Sequence, residues 1–95
     1  MSKGLKVIIP DVHVPVWVSP IKAREFMEEK LDVISAKWGE AGALIATYIG
    51  LYTVREIYDK IRDLYPDFKL QDVMDVLMEM YEDGYIDFKE AEARR

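Results

Sequence analysis

Two apolar stripes of helical period, each with its own stop signal, dominate residues 53–84. Thr53-Val54-Arg55-Glu56 has the pattern of a capping box, with Thr53 as the cap and Glu56 reaching back to it. Val54, Ile57, Tyr58, Ile61, Leu64 and Tyr65 then recur at helical spacing until Pro66 ends the run. Pro66-Asp67-Phe68-Lys69 makes the turn, and Leu70, Val73, Met74, Leu77, Met80 and Tyr81 form a second stripe. Asp83-Gly84 closes it, because glycine is free to take the left-handed cap. Tyr85-Ile86-Asp87-Phe88 alternates as a strand, and residues 89–95 read as a frayed tail.

Upstream, residues 1–18 look extended. Leu5 to Ile9 is β-branched and apolar, Pro10-Asp11 interrupts it, and Val12 to Val18 alternates valine with His13, Pro15 and Trp17. Pro15 cannot donate to a ladder, so this piece should be an edge strand or an irregular arm. Ser19-Pro20 is a helix start, a side-chain cap followed by proline at the first helical position. The spacing predicts a helix from about Ile21 to Trp38 with Phe26, Leu31, Ile34 and Trp38 inward, its mixed charges forming a solvated face. Gly39-Glu40 should break or kink it before a second piece from Ala41 to Ile49. Gly39, Ala43, Ala46 and Gly50 form a small-residue stripe suited to tight packing in a core. These readings make one domain of residues 1–95, with an arm over 1–18, a helix over 19–38, and a helix-turn-helix core and terminal strand over 40–88.

Composition limits what such a chain can do. At 95 residues and about half apolar it has enough for one core, and its longest near-apolar run, Ala41 to Tyr52, is shorter than the ~20 residues that span a bilayer. No secretory signal is expected from the opening residues, and the absence of cysteine excludes a disulfide frame or a thiolate metal site. A cytoplasmic location is the resulting default. Abundant Glu, Lys and Arg would also suit a thermophile. The net charge of -5 runs against nucleic-acid binding unless the thirteen Lys and Arg residues cluster.

The order of helix, Thr53–Tyr65, turn, Leu70–Asp83 and then Gly84-Tyr85-Ile86 resembles the winged-helix proteins. The resemblance covers about half the chain. It implies a mainly α fold with a small β-sheet: a three-helix core, here with an added N-terminal strand and helix and a shortened wing. Only eleven residues follow Gly84 in this sequence, with no glycine, proline or asparagine to turn a hairpin. Val12–Val18 is therefore expected to pair with Tyr85–Phe88 instead. The resemblance also makes Leu70–Asp83 the helix that would enter a DNA major groove. On a helical wheel Asp72, Asp75, Glu79, Glu82 and Asp83 fall opposite its apolar face, so groove insertion would set carboxylates against phosphates. Each close pair costs about 1 kcal/mol even in water. DNA entry by this helix is disfavoured.

Two function classes follow. The first is a non-enzymatic interaction module, an adaptor or accessory subunit of nucleic-acid machinery, binding a protein partner or a second copy. Its candidate interface comprises Val14, Val16 and Trp17 on an open strand edge and Asp72, Asp75, Glu79 and Glu82 on the acidic face. Trp17 divides between core and interface roles. The alternative is a DNA-binding transcription regulator, acting as a dimer and touching phosphates through Arg55, Arg62, Lys69, Lys89, Arg94 and Arg95.

Chemistry has little support. Asp11-Val12-His13 resembles the opening metal motif of calcineurin-type metallophosphoesterases, yet their later motifs are missing and His13 is the only histidine. A polar turn residue and a strand histidine are the expected roles. Ser2, Ser19 and Ser35 lack a triad, and Gly39-x-x-Gly42 lacks the Lys-Ser/Thr of a phosphate loop. No catalytic residue, metal, cofactor or small-molecule ligand is expected.

Overall fold

The structure, a computed structural model, describes residues 7–91. It is mainly helical with a small antiparallel sheet, an α+β arrangement: β1 (His13–Trp17), α1 (Pro20–Glu29), α2 (Leu31–Ile45), a 3₁₀ turn (Ala46–Tyr48), α3 (Val54–Leu64), α4 (Leu70–Glu82) and β2 (Ile86–Glu90). Leu5 and Lys6 of the expected first strand lie outside the described residues. Val7 to Ile9 form no regular element, although Ile8 is buried in the core.

The local signals in the chain explain most boundaries. The Ser19 hydroxyl accepts the Lys22 N–H at 3.1 Å, with Pro20 leading α1. Thr53 and Glu56 complete the expected capping box, the Glu56 N–H reaching Thr53 Oγ1 at 3.2 Å and the Thr53 N–H reaching Glu56 Oε1 at 2.9 Å. Gly84, at φ 87°, ends α4. Its N–H donates to the Tyr81 carbonyl at 3.1 Å and the Tyr85 N–H to the Met80 carbonyl at 3.0 Å, the paired bonds of a Schellman cap.

Three expectations are corrected. The helix predicted over Ile21–Trp38 is two helices, α1 and the first part of α2, meeting at Lys30 (φ −118°, ψ −17°). Phe26 packs on the sheet side against Trp17 and Tyr85, both ring pairs 5.5 Å apart, while Ile34 joins the core cluster from α2. On a straight helix these two side chains would be set by one rigid rod; the bend lets each find its own neighbours. No glycine or proline marks it.

The small-residue stripe is the second correction, in part: Ala46 is buried in the core and Ala43 half-buried, whereas its two glycines are not. Gly39 (φ 78°) and Gly50 (φ 89°) are exposed, and a Cβ at either would meet nothing within 4 Å. They serve backbone conformation, Gly39 breaking α2 where a break was expected. Close approach falls instead to Gly42, where a Cβ would collide with the Trp38 Cβ. Third, the tail begins later than residue 89, because Lys89 and Glu90 belong to β2.

The arm pairs with β2 as expected, in the register His13↔Glu90 through Trp17↔Ile86. The Val18 N–H donates to the Tyr85 carbonyl at 3.0 Å and the Ala91 N–H to the Val12 carbonyl at 2.7 Å. Ladder bonds of an antiparallel pair fall on alternate residues, so Val14 and Val16 continue that row while Pro15 stands between ladder bonds. A residue with no N–H is tolerated there. Beneath the sheet, Val54, Ile57 and Ile61 of α3 meet Val73, Val76 and Leu77 of α4, all fully buried. Val76 was not on the expected stripe, and Leu64, which was, is 63% exposed at the end of α3.

Candidate interaction surfaces

The core-facing stripe of α4 fixes what its opposite side must show. Asp75, Glu82 and Asp83 are exposed, and Asp72 and Glu79 are half-buried. Asp72 is partly spent on structure, accepting the Lys69 N–H at 2.9 Å in the first turn. Asp75 accepts the Gln71 side-chain amide at 2.9 Å. Glu79 takes the Lys37 ammonium at 3.0 Å. Among the described residues, no arginine forms an ion pair with a carboxylate of α4. The acidic row expected from the wheel therefore stands in the fold with, among the described residues, one lysine set against it.

That lysine marks a groove absent from the sequence reading. Lys37 and Trp38 of α2 with Asp75, Met78, Glu79 and Glu82 of α4 line a cleft of about 500 Å³. Lys37 Nζ lies 5.6 Å from the Trp38 ring centroid, so one cation touches both an indole face and a carboxylate. The Trp38 indole N–H is buried without a hydrogen-bond partner. Positions 37 and 79 are 42 residues apart, and no local pattern could have paired them.

β1 offers less than expected. Trp17 is half-buried against Phe26 and the core, whereas Val14 and Val16 sit half-buried opposite Lys89 and Asp87. The outer row of β1 is occupied: the Pro15 carbonyl accepts the Gly50 N–H at 2.6 Å and the His13 N–H donates to the Ile9 carbonyl at 2.9 Å. Among the described residues, the open edge of this sheet belongs to β2.

The basic residues are brought together only in part. Arg55 and Arg62 lie on one face of α3 and share the Asp59 carboxylate, at 4.0 and 3.6 Å. Both guanidinium groups also lie within 6 Å of the Tyr58 ring. Lys69 is at the start of α4 and Lys89 on β2, both exposed; Arg94 and Arg95 lie outside the described residues.

The remaining polar groups have structural work. His13 Nδ1 accepts the Ile9 N–H at 2.9 Å, closing the turn that carries Asp11. No group of three or more metal-ligating side chains occurs among the described residues. Ser2 lies outside them. On the far side of α2, Met27, Leu31, Ala43, Leu44 and Thr47 line an apolar groove of about 350 Å³ rimmed by Glu40 and Tyr65. The Tyr65 hydroxyl donates to Glu40 Oε1 at 2.9 Å, and that bond to a carboxylate, with burial and like charge adding to it, raises the phenol above its ordinary pKa. No described helix is long and apolar enough to cross a membrane. Compared with family models, curated proteins and solved structures, the chain matches none.

Proposed function

We propose that this chain is a non-enzymatic, winged-helix-like interaction module of the cytoplasm, which binds a basic segment of a protein partner on the outward face of α4. The observation that carries the reading is the row Asp75, Glu79 and Glu82, which lines a cleft together with Trp38 and Met78. Carboxylates beside apolar surface suit a partner whose lysines or arginines alternate with apolar residues: the charges steer and the apolar surface excludes water. The helix order, the capped α4 and the pairing of β1 with β2 are consistent with the winged-helix resemblance. The acidic face is what turns the reading from DNA toward protein.

The alternative, a DNA-binding regulator, asks Arg55 and Arg62 to leave Asp59 for phosphate. Their shared carboxylate and the acidic α4 both oppose it. The experiment is a paired titration at low and at physiological salt, with a basic amphipathic peptide and with duplex DNA. Peptide binding that falls at least about tenfold in Asp75→Lys/Glu82→Lys supports the module. Duplex binding with a steep salt slope, lost in Arg55→Ala/Arg62→Ala, overturns it.

A further inference from the structure

The ladder between β1 and β2 decides which main-chain groups of β2 face away from it. Bonds at Tyr85 and Ala91 put Asp87 and Lys89 in the row turned toward β1. Ile86, Phe88 and Glu90 therefore present their N–H and C=O groups to the opposite side, where no further strand is paired among the described residues. Ile86 is fully covered, so the open part of this row runs from Phe88 to Glu90. Exposed edge donors and acceptors of this kind are templates for another strand.

We infer that the strand received at this edge is β2 of a second copy, antiparallel, about a two-fold axis through Phe88. A two-fold contact must place each residue opposite its own symmetry mate or a reciprocal partner, so only a few registers exist. A centre at Asp87 sets carboxylate on carboxylate, and a centre at Lys89 sets ammonium on ammonium. A centre at Phe88 sets Asp87 of each copy opposite Lys89 of the other, two opposite-charge cross-strand pairs on the solvent face. The same register puts Phe88 opposite Phe88 with both main-chain groups in the outward row, so the two residues exchange a pair of N–H···O=C bonds. Phe88 is half-buried against Tyr81, with ring centroids 5.5 Å apart, and would extend that apolar contact across the axis.

Asp87 also holds the edge in check. Its Oδ1 accepts the Phe88 N–H at 2.8 Å, the central donor of the proposed pairing. On association this N–H passes to the carbonyl of the second copy, and the freed carboxylate turns to the opposing lysine. In this register Glu90 faces the covered Ile86 of the other copy, so the main-chain contact is the Phe88 pair alone, and interfaces below about 1,200 Å² are transient. The association is accordingly weak and concentration-dependent. It uses a different surface from the acidic face of α4 and stands whether or not that face binds a basic partner.

The test uses light scattering of the full chain from micromolar toward millimolar concentration. The wild-type mass should rise toward that of a dimer. Asp87→Lys alone and Lys89→Asp alone should each stay monomeric, since each sets like charges opposite one another. An equimolar mixture of the two variants should associate, because every cross-strand pair is then again of opposite charge. A wild-type mass that stays monomeric throughout, or single variants that associate as the wild type does, overturns the proposal. Amide exchange on the wild-type chain gives a readout independent of any substitution: Phe88 should exchange more slowly as concentration rises, and an unchanged rate refutes the pairing.

Discussion

Gly42 and Trp38 are one helical turn apart and in contact: a Cβ at position 42 would strike the Trp38 Cβ. The contact exists because Gly39 breaks α2 between them, so Trp38 no longer occupies its regular helical position relative to Gly42. Gly42→Ala should therefore destabilise the fold by about 1–3 kcal/mol, the cost of overpacking, despite alanine's better helix propensity. Gly39→Ala differs in cause. Its Cβ has room, and the expected loss of about 1–3 kcal/mol comes from the positive-φ, extended backbone alone. Urea unfolding in a double-mutant cycle separates the two, because Trp38→Gly, which removes the struck Cβ, should relieve the first and leave the second unchanged.

Removal of residues 1–18 should be strongly destabilising. It takes away the one strand that, among the described residues, pairs with β2, the buried Ile8 and Pro15, and Trp17 from the Phe26 ring. Burial of one large apolar side chain is worth about 1.5–3 kcal/mol, so the truncated chain should lose more than about 3 kcal/mol. Circular dichroism with thermal unfolding measures this, and a truncated chain as stable as the full one would show that β1 is an accessory.

Lys37 and Glu79 form an exposed pair, and such pairs contribute only about 0–1 kcal/mol. Lys37→Ala should leave the midpoint of unfolding nearly unchanged. It should strengthen binding of a basic peptide, since it removes a cation that competes for Glu79 and the Trp38 ring. Calorimetric titration checks the affinity, and a weaker complex in the variant would place the peptide elsewhere.

The bond from Tyr65 to Glu40 carries a pH signature. Its neutral phenol is favoured in the folded chain, so the folded pKa lies above the ordinary value of 10.0. A group shifted this way adds stability that is fully present below its unfolded pKa and is lost as pH rises through the folded one. The pair should be silent around neutrality and fade only in alkali beyond the ordinary phenol range. Phenolate absorbance should show Tyr65 titrating above the ordinary value of 10.0, and Glu40→Gln should bring it back toward that value.

Where each helix of residues 53–84 starts and stops was legible because caps and breakers act within four residues of one another. Thr53 and Glu56, Pro66, and Gly84 with Tyr81 needed no distant contact to define α3 and α4. The acidic side of α4 was legible for the same reason, as a period of the chain. The bend at Lys30 was not, because Phe26 and Ile34 had to find separate neighbours first.

The amino-acid order by itself determined the capped helices, the break at Gly39 and the carboxylate row on α4, all products of backbone geometry over a single turn. Tertiary structure alone decided that Lys37 would meet Glu79 across a cleft, that the outer row of β1 would be closed by Gly50, and that β2 would hold the open edge. Those depend on which segments pack together, and the free energy that chooses among packings belongs to the whole core rather than to any local stretch.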